Sequence, residues 1–182
     1  MWLKVVYSPT TLFSLRDSHA TNSAGKSLFA PSPYSIKMAL LNAIITYDSL
    51  EAAKANFSLI RDLEIKISLP NFLVVNNCLV RIRKDNDKKT KEEKKTEPFK
   101  TTIAFREYIY FSSDIVIATS LQMEQMVLHE DIEFLKKWFM HINYFGKKGC
   151  FFQFKNAEVV DKINTSEFAS CLDDGFSVGV YQ

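Results

Sequence analysis

The chain has 182 residues, 47% hydrophobic and 24% charged, with a formal charge of +2. That length fits one domain with an elaborated edge. Its 15 Phe against 5 Gly and 5 Pro exclude collagen-like, mucin-like and linker-array chains and predict an aromatic core. So small a charge does not demand a polyanionic partner, and any nucleic-acid argument rests on where the cations sit.

Cys78, Cys150 and Cys171 are far apart and form no CxxC pair. This argues against a zinc site and a disulfide scaffold and predicts free thiols in a cytoplasmic protein. Residues 1–4 lack the charged-then-apolar pattern of a signal peptide, and no apolar run approaches the ~20 residues that span a bilayer. No metal, cofactor or membrane is expected.

Residues 2–7 (WLKVVY) read as a first strand. Residues 8–33 form a long polar loop carrying Arg16, His19 and Lys26 and ending in Ala30-Pro31-Ser32-Pro33. Loops of that length are uncommon and often functional, and the prolines delay helix until Tyr34. Residues 34–45 turn helical, with Ser32 or Ser35 as the cap. Ile36, Leu40 and Ile44 form the core stripe, widened by Met38 and Leu41. Residues 49–60 predict a second helix capped by Ser49, and residues 63–69 (LEIKISL) alternate as a strand stopped by Pro70.

The chain is organised around residues 79–111, which read strand, charged tongue, strand. In the approach to it, residues 72–83 are apolar and β-branched, interrupted by Asn76-Asn77, a hairpin turn or a bulge. The tongue, residues 84–100, sets seven Lys (Lys84 and Lys100 at its ends) against five acidic residues. It cannot bury enough apolar surface to offset its ordering entropy, so it should project as a solvated loop or as an arm ordered by a partner. Residues 101–111 return to apolar and aromatic residues, and Ser112-Ser113-Asp114 then residues 115–119 (IVIAT) complete a hairpin signature. Residues 128–142 predict a third helix with Ile132, Leu135, Phe139 and Ile142 on one face; Gly146-Lys147-Lys148-Gly149 breaks it, and residues 150–154 form a last strand.

This order fits an α+β, ferredoxin-like antiparallel sheet with helices on one face, an arrangement shared by RNA-recognition folds. The domain is expected at residues 1–155 with an insertion at about 84–100, followed by an extension at 156–182. The weak pattern at the end predicts that the natural chain continues beyond Gln182.

Arg81, Arg83 and Arg106 stand among aromatics, the composition of a nucleic-acid-binding surface. Alternation puts Arg106, Tyr108 and Tyr110 on one strand face, where they could stack bases and contact phosphates; they could equally cover a second layer, with Arg106 paired to Glu107. The glycine-flanked Lys147 and Lys148 suit either a phosphate-approaching turn or a helix C-cap with solvated lysines. His19, His129 and His141 occupy unlike contexts, and no HExxH, GxSxG or paired-carboxylate motif appears. A metal-independent ribonuclease could be built from His19, a Tyr and a Lys, but no spacing selects one.

With these residues in hand, the chain resembles the Cas-five family of CRISPR-associated RAMP proteins, nearest the type I-A and I-B branches. The correspondences are the Pro31–Leu40 stretch (PSPYSIKMAL), Val75-Asn76-Asn77 with LVRIR, residues 102–108 (TIAFREY), and residues 142–151 (INYFGKKGCF), where Lys148 stands in place of a common Arg. The resemblance implies a RAMP domain with a projecting thumb, placed at the tongue. It implies a subunit that caps a type I Cascade-like filament in antiviral defence, holds the 5′ handle of the CRISPR RNA, and neighbours backbone and large subunits, meeting target DNA only indirectly. One branch of the family processes precursor RNA, but its catalytic set finds no clear match.

The expected RNA-binding set is Arg16, His19, Lys26, Tyr34, Lys37, Asn76, Asn77, Arg81, Arg83, Lys84, Lys100, Arg106, Tyr108, Tyr110, Lys147 and Lys148, converging on one sheet surface. The alternatives are a ribonuclease acting on repeat RNA and a protein-interaction scaffold without RNA contact.

Overall fold

The computed structural model describes residues 1–16, 25–85, 99–120 and 129–168. His19, Cys171 and residues 86–98 of the tongue lie outside them.

Strand β1 (Trp2–Pro9) is the central ruler of a four-stranded antiparallel sheet, with β7 (Ile115–Ser120) on one side and β8 (Phe152–Val160) on the other. β4 (Glu64–Ser68) completes the sheet beyond β7, in the order β4-β7-β1-β8. Without the inserted elements, this is the strand order of a ferredoxin-like fold. Alternation decides its faces: Leu3, Val5 and Tyr7 of β1 are buried on one side, in register with Thr119, Ile117 and Ile115, and Ile65 and Ile67 of β4 join them.

The helices cover that side. Helix α1 (Pro33–Tyr47) starts where Ser32 Oγ accepts from the Ser35 N–H and Pro33 occupies the first turn, where its missing N–H costs nothing. Its buried stripe is Ile36, Leu40, Ala43 and Ile44; each large aliphatic contributes about 1.5–3 kcal/mol. Met38, expected to widen it, is exposed. The predicted second helix breaks at Asn56 into α2 (Leu50–Ala55), capped by Ser49, and α3 (Phe57–Asp62). Helix α4 (His129–Met140) buries Ile132, Leu135, Trp138 and Phe139. The buried Tyr7 hydroxyl donates to the Phe139 carbonyl at 2.6 Å, fastening α4 to β1.

Three predicted features differ. First, residues 101–111 do not form a hairpin with residues 115–119. β6 (Phe99–Phe111) pairs with β5 (Leu73–Asp85) in a separate two-stranded ribbon, while β7 leaves the Ser112–Asp114 corner to enter the main sheet. Second, Asn76 and Asn77 form neither turn nor bulge; they sit mid-strand, opposite Tyr108 and Glu107. Third, α4 ends at Met140, before the glycines. Gly146 and Gly149, at φ 71° and 106°, shape a turn closed by the Tyr144–Phe151 bridge. β8 begins only at Phe152 and runs to Val160, through the position expected to end the domain.

The long polar loop contains β2 (Leu15–Arg16) and β3 (Ser27–Leu28), which pair with each other. It lies along β6, where Phe13 and Ile109 exchange backbone hydrogen bonds of 3.1 and 2.8 Å.

Candidate nucleic-acid interface

The β5–β6 ladder runs without a slip from Leu73↔Phe111 to Asp85↔Phe99. Every pair joins residues of equal parity, so even-numbered residues of both strands share one face and odd-numbered residues the other. The even face carries Val74 with Tyr110, Asn76 with Tyr108, Cys78 with Arg106 and Lys84 with Lys100. The odd face carries Asn77 with Glu107, Leu79 with Phe105, Arg81 with Ile103 and Arg83 with Thr101.

This register corrects the expected convergence. Arg81, Arg83 and Asn77 stand on the side opposite Arg106, Tyr108 and Tyr110. The two faces also differ in what they meet. Near the body the odd face is buried through Glu107, Ile109 and Phe111, with Phe111 edge-on to Phe13 at 5.0 Å. Farther out it opens, leaving Leu79 and Ile103 64% exposed and Phe105 52%. Tyr110, on the even face, is 52% exposed at the level where its odd-face neighbours are buried. The even face thus carries Lys84, Lys100, Arg106 and two tyrosines with the Val80–Ala104 and Ile82–Thr102 pairs between them, and the distal odd face is an apolar patch with two arginines.

The loop brings further cations to the ribbon's base. The Ser27 N–H donates to Glu107 Oε1 at 2.9 Å, and the Glu107 N–H donates to the Gly25 carbonyl at 3.4 Å. A Cβ on Gly25 would stand 3.2 Å from Arg106 Nη1. Lys26, adjacent to Gly25, and Arg16, paired with Ser27, are both exposed. Glu107 therefore fastens the loop instead of serving only its neighbour Arg106, and β3, with Lys26 just before it, lies against β6.

The other expected residues are elsewhere. Tyr34 is 72% exposed at the start of α1. Lys37 donates to the Arg61 carbonyl at 2.5 Å and ties α1 to the end of α3. In the glycine turn, the Lys147 N–H bonds the Phe145 carbonyl and the Cys150 N–H bonds the Lys147 carbonyl, so these amides face inward. Gly146 touches β2, a Cβ there falling 2.9 Å from Leu15 Cδ2. Leu15 of β2 thus packs against this turn, while Gly25, ahead of β3, packs against Arg106, so the two groups of cations meet different parts of the loop.

The open face of the four-stranded sheet is not a bare basic surface. Lys4 pairs with Glu158 at 3.0 Å, and Lys66 pairs with Glu64 at 3.2 Å while lying 5.0 Å from the Trp2 ring centre. None of the expected residues that are described lies on its four strands. Lys148 instead lines a cleft of about 230 Å³ between α1 and the segment after α4. There Tyr47 and His141 stack with ring centres 4.8 Å apart, and Asn42 Nδ2 reaches Tyr144 Oη at 3.5 Å. Sequence reasoning gave Tyr47 and His141 no part in a site; the one available signal was the aromatic and amide cluster Asn143-Tyr144 beside the glycine turn.

No family model matches the chain. Over 180 residues it is 25% identical to a CRISPR-associated protein Cas5 of Archaeoglobus fulgidus, spanning 98% of this chain and 74% of that protein. The resemblance to the Cas-five family of RAMP proteins is thus borne out by that relative. Its fold is also found in a solved structure, the Type III-B Cmr-beta complex bound to cognate target RNA, with a TM-score of 0.61 at 11% identity. The match covers 87% of this chain and spans 60% of that one. The β5–β6 ribbon, inserted between β4 and β7, spans the position where the resemblance places the thumb. The ribbon's strands extend beyond residues 84–100 on both sides.

Proposed function

We propose that this chain is a non-catalytic, cytoplasmic RNA-binding subunit that holds the 5′ handle of the CRISPR RNA and caps the backbone of a type I Cascade-like complex in antiviral defence. The observation that carries this reading is the even face of the ribbon. Lys84 and Lys100 oppose each other directly across the ladder. Like charges so placed repel, and a phosphate between them removes the penalty. Farther down the same face, beyond the Ile82–Thr102 and Val80–Ala104 pairs, come Arg106, Tyr108 and Tyr110. Cations and rings on one strand face suit single-stranded RNA, whose phosphates take the charge and whose bases stack. The resemblance to the Cas5 relative and the RNA named in the assembly of similar fold support the reading.

The distal odd face suits protein. Exposed Leu79, Ile103 and Phe105 flanked by Arg81 and Arg83 form an apolar centre with a charged rim, the composition of an interface with a neighbouring Cas subunit.

Titration of labelled handle RNA across a salt series tests the RNA assignment. Binding should weaken steeply as salt rises, because each neutralised phosphate releases counterions. A flat response removes it. Incubation with repeat RNA in EDTA tests the non-catalytic assignment: the RNA should remain intact, and a discrete product would make the chain a ribonuclease.

A further inference from the structure

The cleft beside α1 has a lining that neither the fold nor the ribbon requires. Its floor is apolar, from Ala39, Ala43 and Ile142, and its rim is polar, including Asn42, Asn143 and Lys148. Among the described residues no carboxylate lines it, and Lys148 is a cation, so an anion meets an attractive charge and no like charge there. At about 230 Å³ it is smaller than the ~300–1,000 Å³ of pockets that enclose a whole drug-sized ligand, which suits one ring system with its phosphate at the mouth.

We infer that this cleft is a pocket for a single nucleotide of the bound RNA, its base held against the Tyr47–His141 stack and its phosphate on Lys148. The inference rests on the RNA-binding reading for its ligand class, but on a different part of the molecule for its site. Single-stranded bases splay out and stack on aromatic side chains, and Tyr47, 60% exposed, presents a ring already aligned on His141 at 30°. The Asn42 and Asn143 amides each offer donors and an acceptor, as a base edge requires. The Asn42–Tyr144 hydrogen bond, at 3.5 Å, is at the long limit, so a base can take either partner at little cost. Gly146 brings the turn against β2, placing Lys148 at the mouth.

Photo-crosslinking of the full chain to single-stranded RNA containing 4-thiouridine tests the inference. Adducts are expected on Tyr47, His141 or Tyr144 as well as on the ribbon. Tyr47→Ala should weaken RNA binding by about tenfold while Tyr47→Phe retains it, because the ring face and not the hydroxyl carries stacking. Lys148→Ala should weaken binding and flatten its salt dependence. Adducts confined to the ribbon, with Tyr47→Ala neutral, would overturn the pocket and leave the RNA reading standing. Loss of all RNA binding by the unaltered chain would bring down the RNA reading, and the pocket with it. Labelling of the cleft by a photoreactive free mononucleotide, with no strand adduct there, would also overturn the inference.

Discussion

Gly25 lies so close to Arg106 that a methyl group on its Cα would stand 3.2 Å from the guanidinium Nη1 and 3.1 Å from the Phe105 carbonyl oxygen. The contact joins the polar loop to the ribbon at the base of its even face. Gly25→Ala should therefore push Arg106 out of place. Thermal unfolding should report a loss of about 1 kcal/mol, because the backbone at φ 21° also disfavours a side chain. RNA affinity should fall by more than that stability loss accounts for. Unchanged affinity would detach Arg106 from the interface.

The Lys84–Lys100 pair predicts effects of opposite sign on stability and on binding. Lys100→Glu turns a repulsive cross-strand pair into an attractive one. The ribbon should gain up to about 1 kcal/mol, read as slower hydrogen exchange at amides of β5 and β6. RNA affinity should fall, because a phosphate now meets a carboxylate. If stability and affinity rise together, the tip is not a phosphate site.

Local patterns carried much of the fold and little of the interface. The Ile36, Leu40, Ile44 stripe and the Ser32 and Ser49 caps were legible because each depends only on residues within a few positions. The partner of β6 was not: Ser112-Ser113-Asp114 signals a turn of chain direction, yet the pairing is settled by a ladder to β5 up to 38 residues away in sequence, from Leu73 to Phe111. Register then decided the site. A slip of one residue in that ladder would have put Arg81 and Arg83 on the same face as Arg106, and strand alternation within β6 alone cannot fix it. β8 was read short because it is an edge strand whose residues beyond Phe154 are half polar. The cleft escaped because its lining comes from the end of α1 and from a segment about 100 positions later, such as Asn42 and Tyr144 at a separation of 102.

The two ribbon faces make separable predictions. Arg106→Ala should lower affinity for single-stranded RNA by about tenfold and reduce the salt slope by roughly 0.7, the value for one phosphate contact on a single strand. Arg81→Ala, on the opposite face, should leave slope and affinity of the isolated subunit nearly unchanged and instead weaken incorporation into the assembled complex, read by co-purification. Equal losses of RNA affinity from the two substitutions would contradict the division of the ribbon into an RNA face and a protein face.

The last prediction concerns the joint that holds the helical layer to the sheet. Tyr7 is buried in the core, its ring edge-on to Phe145 at 5.1 Å and to Phe154 at 5.9 Å, and its hydroxyl donates to the Phe139 carbonyl. Burial holds its phenol well above the usual value, because the phenolate would be desolvated. The folded state therefore disfavours ionisation that the unfolded chain undergoes at about pH 10. The resulting stability is fully present below that pH and is lost as pH rises beyond it, where the unfolded chain gives up a proton that the folded one keeps. Tyr7→Phe should cost about 1 kcal/mol at neutral pH through the lost hydrogen bond, softened because the Phe139 carbonyl still accepts from the Ile142 N–H. Above about pH 10 the gap between the two proteins should close and then reverse, because phenylalanine has no proton to lose. Parallel stability curves from pH 7 upward would show that Tyr7 does not stay neutral in the fold.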